Sequence, residues 1–125
     1  MTAISTNDAP PAVGPYAQAR VENGLLFVSG QLPVDPKTGV FNSDDMVVQT
    51  EQCLANIAAI AKAAGTGIEK TVKTTVLVTD LSRFSEMNEV YGKAFSAPFP
   101  ARACYEVSAL PLGAKIEIEA IIALD

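Results

Sequence analysis

The segment Pro100-Ala101-Arg102-Ala103-Cys104-Tyr105-Glu106-Val107 places one arginine in a stretch that otherwise reads as a half-buried β-strand. Arg102 and Cys104 stand two apart, so in a strand they share a face. An arginine is costly to bury, and one in a short strand usually has a fixed anionic partner. Its planar fork matches a carboxylate bidentately and stays charged at any physiological pH. Two partners remain open: a structural carboxylate (Glu106, Glu117 or Glu119) or a bound ligand. Glu117 and Glu119 share a face of the last strand, beside Ile116 and Ile118. They are either solvated or paired, or held for acid–base work with a pKa that burial could raise. Cys104 is either a nucleophile with its pKa lowered by Arg102 or a small buried thiol. Cys53 falls on the inner part of a helix and reads as core. Tyr16, after Gly14-Pro15, and Ser29, before Gly30, sit at strand ends, where binding residues collect and where turns also pack. Asn88 interrupts a helix near its buried side, so its amide needs a partner: a loop to tie down or a site to reach into.

The composition narrows what these residues can do. The chain has 125 residues, 49% hydrophobic and 18% charged, which suits a single ordered domain over residues 1–125. Its net charge of −5, with no basic cluster, disfavours nucleic acid and anionic membrane surfaces. There is no histidine, which removes Ser-His and Cys-His nucleophile pairs and imidazole zinc ligands. No phosphate loop, dinucleotide fingerprint or metal-ligand spacing occurs. Gly65-Thr66-Gly67 follows a helix and reads as its cap and turn. The two cysteines lie far apart and outside any CxxC pattern, so free thiols in a reducing compartment are expected. Met1 leads into polar residues without a signal-like apolar core, and no run reaches spanning length, so a cytoplasmic location is expected.

The positioning elements follow from periodicity. Residues 1–15 read as an extended strap without a core of its own. Residues 16–21 and 25–28 read as two strands joined at Glu22-Asn23-Gly24, a good hairpin signal. A helix is expected over 44–64, capped by Asn42 or Ser43, with Val47, Leu54, Ile57, Ala58 and Ala61 on one stripe and Gly65 at its end. Residues 71–79 alternate as a strand, with Val72, Thr74, Val76 and Val78 on one face. A second helix over 83–95 turns Phe84, Met87, Val90, Tyr91 and Ala94 inward, and Pro98 and Pro100 break the chain after it. Strands over 101–107 and 115–124 finish the order ββαβαββ. The last strand, apolar on both faces near its end, reads as central and covered on both sides. The fold class is α+β, a mixed sheet with helices on one face. Two helices leave the second face apolar and uncovered, which predicts a homo-oligomer.

Pro100-Ala101-Arg102, Val107, Leu110-Pro111 and Lys115-Ile116-Glu117-Ile118-Glu119-Ala120 together resemble the signature of the RidA family of reactive intermediate/imine deaminases, the YjgF-type proteins. Ala9-Pro10 through Gly14-Pro15-Tyr16, Phe27-Val28-Ser29-Gly30-Gln31, Lys73-Thr74-Thr75-Val76 and Met87-Asn88-Glu89-Val90-Tyr91 extend the resemblance in order along nearly the whole chain. The resemblance implies a chorismate-mutase-like α+β fold assembled as a homotrimer with clefts at subunit interfaces. It implies hydrolysis of enamines and imines such as 2-aminoacrylate and 2-aminocrotonate, released by pyridoxal-phosphate enzymes, to 2-oxo acids and ammonia, without a cofactor. By position, Arg102 is similar to the family's carboxylate-binding arginine, and Glu117 to the carboxylate that positions water and moves protons. Tyr16, Ser29, Asn88 and Cys104 match positions that line or border the cleft; a nucleophilic thiol is not implied. The connection Ser96-Ala97-Pro98-Phe99 is shorter than in several relatives, and it bears on substrate range.

Two alternatives belong to other classes. One is a non-catalytic trimer that binds small carboxylates or a partner. The other is RNA cleavage or translation inhibition, an activity also ascribed to the family, against which the acidic balance and the missing histidine weigh.

Overall fold

Asn23 and Gly24 both take positive φ, 55° and 75°, the backbone that a two-residue hairpin turn demands. They join β2 (Ala19–Glu22) to β3 (Leu25–Gln31), and the expected first hairpin is present. The structure is a computed structural model that describes residues 3–125. With β1 (Ala3–Ile4), β4 (Thr71–Val78), β5 (Ala101–Glu106) and β6 (Ile116–Ala123), these strands form one sheet in the order β1-β2-β3-β6-β4-β5. Every neighbouring pair is antiparallel except β4 and β5, which run parallel. Helices α1 (Met46–Ala63) and α2 (Phe84–Ala94) supply the other layer. The α+β class, the mixed sheet and the central place of β6 agree with the sequence reading.

The core lies between the helices and one sheet face. Leu26, Val76, Ile116, Ile118 and Ile122 meet Cys53, Ile57, Ile60 and Met87 there, all fully buried. Cys53 is core as expected, and burial pushes its thiol well above the ordinary value. On the opposite face Leu25, Phe27, Leu77, Tyr105 and Ile121 lie under no helix of this chain; Phe27 and Tyr105 are 41% and 58% exposed. The last strand is therefore central, while the helices cover only one of its sides. No helix among the described residues is long and apolar enough to cross a membrane.

Three local expectations are corrected: the start of the first hairpin's strand, the cap of the first helix and the face of Val72. The strap, of which Met1 and Thr2 lie outside the described residues, is extended and tied to the body of the domain. Ala3–Ile4 adds an edge strand on β2, and Ala9 is buried. Gln18 explains why: its amide nitrogen donates to the carbonyls of Thr6, Ala9 and Pro10, and its carbonyl accepts from Thr6 N–H at 2.7 Å. Tyr16 lies in a turn closed by its N–H to Gly14 O, 2.8 Å, and strand pairing begins only at Ala19. The turn at Pro15 delays it.

Helix α1 begins at Met46, because Asp45, not Asn42 or Ser43, caps it by accepting from Val48 N–H at 3.2 Å. Ser43 instead accepts from Asp45 N–H at 2.9 Å, one step before the helix. Its far end closes as expected: Gly65, at φ 84°, donates to Lys62 O while Thr66 donates to Ala61 O. Leu54, Ile57 and Ala61 are buried on the stripe, while Val47 and Ala58 are half-buried along a groove facing α2. In β4, Thr71 opposes Ile122 and Lys73 opposes Ile121, so Val72 is the extra residue of a bulge. Val72 turns out to solvent and Thr71 takes its place on the helix side.

Candidate functional site

The arginine comes from the sheet's parallel edge. Register sets Arg102 beside Thr74 and Cys104 beside Val76, on the face that α2 covers. Helix α2 presents Phe84, Asn88 and Tyr91 there, at the four-then-three spacing that shares a helix face. Arg102 Nη1 donates to Asn88 Oδ1 at 2.6 Å. Its guanidinium carbon sits 4.8 Å from the centre of the Tyr91 ring and 5.3 Å from that of Phe84. Tyr91 is held in turn: its hydroxyl hydrogen-bonds Thr74 Oγ1 at 2.6 Å and its ring lies 4.7 Å from that of Phe95.

No carboxylate of the described residues pairs with Arg102; the ion pairs among them are Arg83–Glu86 and Lys93–Glu89. Of the structural partners left open by the sequence, Glu106 accepts from Leu81 N–H at 2.8 Å. Glu117 and Glu119 belong to the other face of the sheet, because β6 buries Ile116, Ile118 and Ala120 on the helix side. The internal ion pair is not made. Cys104 is half-buried beside Arg102, and burial raises its thiol by more than the guanidinium lowers it. A raised thiol pKa favours the small half-buried thiol over an activated nucleophile.

A second group gathers on the far face, at a break in β3. Val28 pairs with Ala120 and Gln31 with Ile118, so Ser29 and Gly30 together face the single residue Glu119. Glu117 folds its carboxylate against Gly30 so closely that any Cβ at position 30 would overlap it. Glycine there lets the carboxylate approach the strand this closely, and a larger residue would oblige the Glu117 side chain to move aside. Burial pushes the Glu117 carboxyl above its ordinary value, and the Glu119 charge on the same face adds to the rise. Ser29 Oγ donates to Ala17 O at 2.6 Å. Tyr16 is exposed and accepts from Val13 N–H at 3.5 Å. Tyr16 and Ser29 line one shallow depression with Arg20 and Phe27.

The six candidates thus form two groups, Arg102 with Asn88 and Cys104, and Glu117 with Ser29 and Tyr16, on opposite faces of the sheet. The first offers a cationic fork for a planar carboxylate. The second offers a carboxyl that retains its proton to higher pH than an exposed one. Sequence reasoning did not single out Phe84, Tyr91 or Gly30 for the site. The helical spacing of Phe84, Asn88 and Tyr91 was a usable signal, as was a glycine inside a strand. Among the described residues, no group of three or more His, Cys, Asp or Glu side chains could hold a metal ion.

Residues 6–124 match a family model described as Endoribonuclease L-PSP. The chain is 68% identical over 121 residues to a RutC family protein, y4sK, of Sinorhizobium fredii, covering 97% of this chain and 96% of that one. It is 48% identical over 118 residues to the 2-iminobutanoate/2-iminopropanoate deaminase of Capra hircus, covering 94% of this chain and 86% of that one. Among solved structures, it superposes on RidA from the Antarctic bacterium Psychrobacter sp. PAMC 21119 with a TM-score of 0.94 at 43% identity, covering 98% and 99% of the two chains.

Proposed function

This chain belongs to the RidA family, and from that premise we propose that it hydrolyses small enamine and imine carboxylates, such as 2-aminoacrylate and 2-aminocrotonate, to 2-oxo acids and ammonia. One observation carries the reading. Arg102 is oriented by an amide and two aromatic rings, yet meets no carboxylate among the described residues. Such a guanidinium suits a ligand carboxylate. The name of the Capra hircus relative supports the same substrate class.

In this mechanism Arg102 takes the substrate carboxylate and Asn88 steadies Arg102. The enamine tautomerises to the imine, water adds to the imine carbon, and the tetrahedral adduct expels ammonia. Water is consumed and ammonia released, with no change of oxidation state and no cofactor. Glu117 directs the water and carries protons between it and the leaving nitrogen, work suited to a carboxyl with a raised pKa. Tyr16, Ser29 and Cys104 border the substrate. Imine hydrolysis proceeds in water unaided, so orientation and one proton carrier give adequate acceleration.

Arg102 and Glu117 lie on opposite faces of one sheet, so the site requires the arginine of one copy and the glutamate of another. We therefore propose a homotrimer that covers the open sheet face, with a cleft at each interface. The test couples a dehydratase that generates 2-aminoacrylate to measurement of 2-oxo acid release. Arg102→Ala is expected to bring the rate down to the uncatalysed one while the oligomer stays intact. Full acceleration in that variant refutes the role, and dissociation of the oligomer assigns Arg102 to assembly instead. An unchanged rate with wild-type protein would favour a carboxylate-binding module without turnover. The description of the matching family model favours RNA cleavage as a second reading. A net charge of −5 opposes it. Salt-dependent RNA binding lost in Arg102→Ala would reinstate it.

A further inference from the structure

We propose that Tyr91, assisted by Phe84, is a positioning residue for Arg102, fixing the direction in which the guanidinium meets the substrate carboxylate. The inference rests on the deaminase reading of Arg102. An arginine side chain is long and loses much rotamer freedom when it is held. A single hydrogen bond to Asn88 fixes one nitrogen but leaves the guanidinium plane free to swing about that contact. The rings of Tyr91 and Phe84, 4.8 and 5.3 Å away, both lie within the range in which a cation is attracted to a ring face.

Tyr91 is itself fixed from the sheet. Its hydroxyl bonds Thr74 on β4, and Thr74 is the register partner of Arg102 on β5. The contacts therefore close a circuit: Arg102 backbone to Thr74, Thr74 to the Tyr91 hydroxyl, and the Tyr91 ring back to the Arg102 guanidinium. Displacement of the guanidinium strains a contact anchored to its own strand pair.

The choice of residue type also matters. A carboxylate at position 91 would hold the arginine more tightly but would compete with the substrate for the same charge. An aromatic face and an amide oxygen orient the guanidinium without neutralising it. The positive charge remains for the incoming carboxylate.

The test uses the full chain and 2-oxobutanoate as a carboxylate probe. Probe affinity and coupled-assay kinetics are measured for wild type, Tyr91→Phe, Tyr91→Leu and Phe84→Leu. The Arg102 side-chain Nε–H is followed by NMR, assigned by its loss in Arg102→Lys. Removing the ring is expected to weaken probe binding and raise KM about ten-fold with kcat nearly unchanged, because ring and carboxylate act together in ground and transition states alike. Tyr91→Phe keeps the ring and should recover most of that affinity, and the Arg102 Nε–H signal should be ordered there and lost in Tyr91→Leu.

Unchanged affinity in a folded Tyr91→Leu refutes the proposal, as does an equal loss in Tyr91→Phe with the Arg102 Nε–H signal still ordered, which would separate the effect from the orientation of the guanidinium. A fall in kcat with KM unchanged refutes it too. If Tyr91→Leu fails to fold, Phe84→Leu at the half-buried ring must give the same KM-weighted loss at smaller amplitude, and no loss there refutes the inference. An Arg102 signal that is ordered in wild type and lost in Tyr91→Leu, with no probe binding or turnover in any protein, would support the positioning contact and sink the deaminase reading alone.

Discussion

Two inactive variants of this chain are expected to restore one another when mixed. On β4, Thr74 stands beside Arg102, whereas Leu77 stands opposite Glu117. Thr74 and Leu77 are an odd number of residues apart, so their side chains, and those of their partners, leave opposite faces of the sheet. Within one copy the sheet itself separates the guanidinium from the carboxylate. In the proposed closed ring of identical copies, each cleft would take its arginine from one subunit and its glutamate from the next. Arg102→Ala removes a charge-assisted contact worth about 2–5 kcal/mol, roughly thirty-fold to several-thousand-fold in rate. Glu117→Gln removes proton transfer worth about 10²–10⁴-fold. Each variant alone should therefore sit near the uncatalysed rate. When the two are co-expressed in equal amounts and assemble at random, half of the clefts have an intact arginine and half of those an intact glutamate, so about a quarter of the sites are whole. The assay is 2-oxo acid release from dehydratase-generated 2-aminoacrylate, with heteromer content verified by native mass spectrometry. Background activity from verified heteromers would refute the shared site and require both residues to act from one chain.

Cys104 should react with iodoacetamide more slowly at pH 8 than a free peptide thiol, because burial raises its pKa. Arg102→Ala should slow it further, since the guanidinium is the influence that lowers that pKa; faster alkylation in the variant would contradict the assignment of causes. Cys104→Ser should keep the acceleration of imine hydrolysis, measured in the same coupled assay. Glu117 has a folded pKa raised above its ordinary 4.5 by burial and Glu119, so its stabilising contribution is present below 4.5 and is lost as pH rises through the folded value. Thermal unfolding should find Glu117→Gln more stable than wild type at pH 7, with the gap closing as pH falls below 4.5.

Much of this arrangement was legible because it rests on period and turn chemistry. An apolar run on both faces marked β6 as the centre of the sheet, alternation sorted Ile116 and Ile118 from Glu117 and Glu119, and Asn-Gly fixed the first hairpin. The misreadings have local causes that periodicity does not encode. A bulge at Val72 exchanged its face with that of Thr71, and alternation cannot reveal an inserted residue. The tie that holds the strap is one buried side chain, Gln18, reaching back eight to twelve residues, which no local pattern announces. The candidate site divides similarly. Arg102 and Asn88 were visible as polar residues in apolar settings, whereas Phe84 and Tyr91 were absorbed into the core because an aromatic ring facing inward looks the same whether it packs or orients a cation. Gly30 was noticed only as a neighbour of Ser29, since the carboxylate it admits comes from a strand far along the chain.

The separation of Arg102 from Glu117 has a consequence for how such a site stays competent. On one face of an isolated chain, a guanidinium and a carboxylate within reach would form an ion pair, and the pair would lower the glutamate pKa while consuming the charge that a substrate needs. Opposite faces prevent that internal neutralisation. Arg102 meets an amide and two rings, which leave its charge available, and Glu117 rests against Gly30 with its pKa raised. In the proposed assembly the two meet only across an interface, where the substrate carboxylate can take the arginine. On the proposed reading, a site without histidine or an activated thiol suffices: a fixed positive charge and one proton-carrying carboxyl would serve an imine that water attacks on its own.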